Sequence, residues 1–249
     1  MTKYTIKKGF EKDFSHPVWK IVVDEAKQQI GIELRHSDST CAILYVFDFE
    51  GQELLSGYVL EEKEWTLEAL QQDTLILKRV GDSLPITAGI LLLDLQGNIR
   101  GSWHEYTWLD TYQGYLKVRH RNFQVGFEEY IALDNLHKAS QLATAPSYCY
   151  NSLKMPIPYS GTLPTALQEI EIQDFPWISR TREHILWTYH SKEADHYHLN
   201  MLVTQSNQVL ANHRLLSDMP KMIPQPFFQI DHQLFLLSYN KRKIVSYLV

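Results

Sequence analysis

A chain of 249 residues, 44% apolar and 12% aromatic, can bury a sizeable core, and an all-β fold of that length need not divide into domains. Its formal charge of -5 gives no electrostatic reason to expect nucleic acid or an anionic membrane as partner. No apolar stretch reaches the roughly 20 residues of a membrane span or the length of a secretory core, and two well-separated cysteines, Cys41 and Cys149, read as buried free thiols in a reducing compartment. The expectation is a cytoplasmic protein.

In chain order, residues 3–8 alternate apolar and polar and belong to no repeat. From there the chain falls into five rows. The first has Trp19 at the head of a short strand, a second strand over 30–35, a third over 42–47, the turn Asp48-Phe-Glu-Gly51, and a fourth strand near 54–60. The second row repeats this with Trp65, strands over 74–79 and 89–93, the turn Asp94-Leu-Gln-Gly97, and a fourth strand over 98–106. An apolar run of four, too short for a helix and bounded by Gly89 and Asp94, reads as a strand buried on both faces. The third row has Trp108, strands over 114–119 and 128–133, and a fourth near 167–172. The fourth has Trp177 and strands over 184–189, 198–203 and 208–216. The fifth has Phe227 and Phe228 at its head, strands over 234–239 and 243–247, and no fourth strand. Residues 61–70 contain good helix formers, and 136–142 suit a helical turn or two, but agreement among the rows assigns 61–70 to strand.

Four antiparallel strands repeated at a period of about 40 to 50 residues are the signature of β-propeller blades. The expected fold is therefore all-β: a five-bladed propeller of four-stranded blades, one domain over 1–249, its last blade closed by the N-terminal strand so that no edge is left free. One excess, residues 135–164, stands between the third and fourth strands of the third blade. It carries Tyr148-Cys-Tyr150 and a Pro-rich run, and a loop of that length usually has a task or caps a surface. The short apolar strands, Asp-x-x-Gly turns, recurrent Trp and closing strand resemble the β-propeller superfamily of WD40-like and quinoprotein-like repeats. The chain also looks like an uncharacterised family of small bacterial propeller-like proteins. The resemblance implies architecture and supplies no catalytic residue.

The second strand of each row ends in planar, hydrogen-bonding side chains: Arg35-His36, Arg79, Arg119-His120, Tyr189-His190 and Tyr239. On one level of a ring they would suit a carboxylate or phosphate ligand, since guanidinium offers a bidentate fork. They would equally suit struts between blades, because a feature present in every repeat tends to serve the repeat. Trp19, Trp65, Trp108 and Trp177 form an aromatic collar for a sugar or base, or inter-blade core. His16, Glu62, Glu64, His104, Glu105, Asp110 and Asp174 lie near the strand heads, where two acids flanking one bond would suit glycoside hydrolysis. His196-x-His198 near His190 pictures three zinc ligands, yet a polar strand end explains it and no metal site is assigned. The run 240–243 fits a hairpin turn. Phosphate loop, nucleophile elbow and cofactor motif are all missing, so no cofactor is expected. The expected function is a monomeric, non-catalytic binding or scaffold propeller for a protein or a small polar or anionic ligand, with no nucleic acid or membrane partner. The alternative is a glycosidase-like hydrolase using carboxylates and histidines at the channel mouth. Function is expected where rows depart from one another: 119–122, 190–198 and the insertion after Asp134.

Overall fold

The computed structural model describes residues 4–83, 86–182, 184–206 and 208–249. They form an all-β protein of five antiparallel sheets with one short helix among the described residues. Two compact units are distinguishable, one spanning His16–Asn151 and one comprising Ser152–Val249 with the segment that ends at Ser15.

Strand β1 (Lys7–Asp13) opens the chain. The unit His16–Asn151 then contains three sheets, each built from consecutive strands. The first comprises β2 (Val18–Asp24), β3 (Gln29–Arg35), β4 (Ala42–Asp48) and β5 (Glu53–Val59). The second comprises β6 (Trp65–Gln71), β7 (Thr74–Ser83), β8 (Ile86–Asp94) and β9 (Ile99–Trp103). The third comprises β10 (Tyr106–Tyr112), β11 (Tyr115–His120), β12 (Glu128–Ala132) and the two-residue β13 (Lys138–Ala139). The run expected to be buried on both faces is so: Ile90, Leu92 and Leu93 of β8 have no exposed surface and Leu91 is buried, and Ile30, Ile32 and Leu34 of β3 and Leu75 to Leu77 of β7 are fully buried as well. The helix-prone stretch beginning at Glu61 becomes strand from Trp65 onward, because Trp65, Leu67 and Leu70 are drawn into the core shared with Leu44 and Val46.

The two Asp-x-x-Gly turns are built alike. Asp48 Oδ1 accepts the N–H groups of Glu50 and Gln52, and Asp94 Oδ1 those of Gln96 and Asn98. Gly51 and Gly97 take φ of +92° and +82°, where a side chain is disfavoured.

The third sheet corrects the sequence reading. Its fourth strand is β13 and not residues 167–172, so the segment 135–164 is not held between the third and fourth strands. The cause is local: Leu136 adopts φ +61° and its N–H bonds Ala132, while Ala132 N–H bonds His137, reversing the chain at once. Residues 136–142 form this turn and β13, not helix. Further on, Thr165–Gln168 form the helix α1, whose Leu167 is buried against Trp187 and Leu202.

The unit Ser152–Val249 holds the other two sheets. One has five strands: β14 (Ile157–Pro158), β15 (Gln173–Thr181), β16 (His184–Glu193), β17 (His196–Gln205) and β18 (Gln208–Met219). The last comprises β19 (Phe228–Ile230), β20 (Gln233–Leu237) and β21 (Lys243–Leu248), with β1 hydrogen-bonded along β21. The N-terminal strand thus completes the last sheet as expected, but over 7–13 instead of 3–8, of which Lys3 lies outside the described residues. Its register is set by Glu11, which meets Lys243 at 2.5 Å and Lys8 at 2.6 Å, and by the Phe10 ring 6.2 Å from that of Phe235. The basic run sits in the turn between β20 and β21, capped by Asn240 Oδ1 accepting Arg242 N–H.

Candidate functional site

In each sheet of the unit His16–Asn151 the head of the first strand pairs with the end of the second: Val18 with Leu34, Trp65 with Arg79, Tyr106 with His120. Arg35, His36, Arg79, Arg119 and His120 therefore stand at the same end of their hairpins, opposite the tight turns.

Arg35 is a strut. Its Nη1 donates to the carbonyls of Thr40 at 2.9 Å and Lys63 at 2.8 Å, and Nη2 to that of Trp65 at 3.0 Å, reaching from the first sheet to the entry of the second. Nη2 also forms an ion pair with Glu33 Oε1 at 2.5 Å, although that oxygen accepts no hydrogen bond among the described residues. Three of its five N–H donors are therefore committed to carbonyls and its charge is matched by Glu33, which leaves Arg35 poorly suited to bind an anion. Glu33, which sequence reasoning passed over, is fully buried. Its Oε2 accepts from Thr66 Oγ1 at 2.8 Å and Leu67 N–H at 2.6 Å. The available signal was one acid inside an apolar strand, since a carboxylate is buried only when paired.

Arg79 is paired with Glu62 at 2.8 Å and its Nε is buried without a hydrogen bond. Arg119 pairs in register with Thr107 and Glu128. The two histidines close turns: His36 Nδ1 accepts Asp38 and Ser39 N–H, and His120 Nδ1 accepts Asn122 N–H. The His16 ring lies 4.5 Å from that of His36.

The tryptophans do not share one register position in their hairpins. Trp65 pairs with Arg79, whereas Trp108 pairs with Val118, one step further in, and Trp177 with Thr188. Trp19 has no partner because the register slips between Val18 and Lys20; this bulge turns its ring outward, 68% exposed. Trp65 is buried edge-on to His104, Trp108 lies under Lys78 Nζ at 4.7 Å, and Trp177 in the other unit leans on Phe175 at 5.1 Å. Within the unit His16–Asn151, Trp19 alone of the three presents an exposed indole.

That indole shapes the candidate site. The Arg35 guanidinium carbon is 6.0 Å from the Trp19 ring centroid, a cation–π distance. Trp19 and Arg35 line an open cleft of about 590 Å³ with Lys63, Glu64, Thr66 and Val80, the last 59% exposed. The cleft brings together two sequence-proposed residues from different proposed sets, and adds Val80, which no motif marks.

In the other unit Tyr189 and His190 are buried, so neither offers its side chain to solvent. His190 Nε2 accepts Ile223 N–H at 3.4 Å, and burial pushes its pKa below the usual imidazole value against the pull of Asp174. His198 Nδ1 accepts Asp218 N–H, and Tyr239 is exposed beyond the end of β20. Of the acids suggested for hydrolysis, Glu62 is held by Arg79 and Asp110 Oδ1 accepts the Thr111 N–H. Both thiols are free, but the expectation that both are buried is corrected: Cys41 is half-buried and Cys149 exposed. Among the described residues, no group of three or more His, Cys, Asp or Glu is arranged to hold a metal ion, and no helix is long and apolar enough to cross a membrane.

No protein-family model matches the chain, and no curated protein matches it. The chain is similar to a solved structure of the AfRom2 CNH domain over 98% of its own length and 99% of that chain, at 8% identity and a TM-score of 0.26. At that level neither fold nor function carries over.

Proposed function

We propose that the five sheets are the blades of a propeller sealed by β1, and that the protein is a non-catalytic binding module whose Trp19 cleft receives an apolar peptide segment of a partner protein. The ring is supported by the repetition of sheets made from consecutive strands and by β1 pairing with β21 in the last of them. A ring removes the edges that an open row of sheets would leave for aggregation.

The observation that carries the binding role is the exposure of Trp19 and Val80 in one cleft, which Thr66 and Arg35 also line. Large exposed apolar side chains grouped in a concavity mark interaction sites, and Trp and Arg dominate binding hot spots. Because Arg35 is tied to three carbonyls and its charge is matched by buried Glu33, the cleft favours apolar contact over a carboxylate or phosphate. Lys63 and Glu64 put one charge of each sign on its rim, so a near-neutral segment suits it.

Random peptides displayed on phage and selected on the intact protein test this. Selected peptides are expected to be apolar, to bind regardless of added phosphate, and to weaken by about tenfold or more with Trp19→Ala or Val80→Asp, the scale of one lost hot spot. Peptides that bind both variants as well as the parent would overturn the reading.

A further inference from the structure

At the opposite end of the same hairpins, a strap formed by Ser147 to Asn151 crosses the three tight turns. Ser147 accepts Gln113 N–H at 2.8 Å, and Asn151 both accepts Glu25 N–H at 3.0 Å and donates to Val23 at 2.9 Å. The side chain of Gln71 donates to Tyr112 O at 2.9 Å and to Cys149 Sγ at 2.8 Å. The strap is thus pinned to the turns of all three sheets, while Tyr148 and Tyr150 are left 65% and 87% exposed. Beneath it lies a cleft of about 390 Å³ with Val23, Ala26 and Leu70 among its walls, within the size range of small-molecule sites.

The polar groups there limit the ligand. Lys27 is tied to Asp73 at 2.8 Å, and the two oxygens of Asp24 accept Lys27 N–H and Gln72 N–H. The lining thus carries one acid and one already paired cation, so it has no net charge to favour a phosphate or carboxylate. Cys149 is exposed as a residue, but desolvation of its thiol beside Gln71 raises the pKa, with Asp24 adding to the effect, so it is not an activated nucleophile. The side-chain amides of Gln72 and Gln113 make no hydrogen bond among the described residues, and both line the cleft. A carboxamide offers two donors and an acceptor in one plane, and a sugar hydroxyl is donor and acceptor at once; the C–H face of a pyranose packs on an aromatic ring.

From this pairing of free carboxamides, exposed tyrosine rings and matched charge we infer that the strap cleft is a binding site for a neutral saccharide. It is independent of the Trp19 cleft, which belongs to the other end of the sheets.

An array of neutral and acidic glycans probed with the intact protein is the test. A subset of neutral glycans is expected to bind, with binding about tenfold weaker or worse in Tyr150→Ala and in Gln72→Ala, and unchanged in Trp19→Ala. In a Cys41→Ser background the bound glycan should also slow alkylation of Cys149 by iodoacetamide. The inference fails if no neutral glycan binds, if binding ignores both strap-cleft variants, if only acidic glycans bind, or if adenosine displaces the glycan and binds more tightly.

Discussion

Two residues, Glu33 of the first sheet and Gly97 of the second, account for much of how these two sheets meet. Glu33 is a fully buried charge whose oxygens are met by a guanidinium, a hydroxyl and a backbone N–H. Replacing it with Ala strands all three, and a loss of about 3 kcal/mol is expected in urea unfolding, the cost of breaking a buried pair from one side. Gly97 is a second sensitive position. Its φ of +82° disfavours any side chain, and a Cβ there would stand 2.8 Å from the Tyr58 ring of the first sheet. Gly97→Ala should cost about 2 kcal/mol, and less in a Tyr58→Ala background, where only the backbone cost of about 1 kcal/mol remains. Equal losses in both backgrounds would deny the contact. The Arg35 case shows how far single residues were legible. Its place at the end of the second strand was evident, but whether it served ligand or repeat depended on where five donors point, which one chain position does not encode.

Elements were legible in proportion to the strength of their local signal. Strands carrying apolar runs and ending in Asp-x-x-Gly were found with their neighbours, because burial on both faces and the turn chemistry agree. Strand β13 was missed because two residues carry no periodicity, and the Pro-rich stretch after it reads the same whether it lies inside a sheet or between two. The outward turn of Trp19 depends on one slipped residue in β2, a feature of pairing that leaves no trace in composition. Strand β16 and the segment that follows β18 also hold a titratable link. The folded pKa of His190 is lowered chiefly by burial, so the folded state prefers its neutral form. Its contribution is fully present above the unfolded value of about 6.5 and is lost as pH falls through that value towards the folded one. Stability measured by urea unfolding should therefore drop below about pH 6.5, with His190→Gln flattening that slope. A slope unchanged by the substitution would remove His190 as its source.

At the scale of the whole molecule, the proposed ring gives the two clefts their setting. Three sheets are four consecutive strands and a fourth adds only β14 to that order, while the terminal pairing of β1 with β21 supplies the one contact that a closed ring requires of the chain ends. An open row of five sheets would share the same strands and the same local turns, so only distances between sheets discriminate. Spin labels on outer strands, in a background without Cys41 and Cys149, give those distances. The useful positions are the exposed Ser56 of β5, Ile99 of β9, Lys138 of β13 and Lys7 of β1. In a ring the first sheet has the second and the fifth as neighbours. Pulsed electron double resonance is therefore predicted to give Ser56 to Lys7 a separation close to that of Ser56 to Ile99, both shorter than Ser56 to Lys138. A Ser56 to Lys7 separation longer than Ser56 to Lys138 would contradict the closed ring.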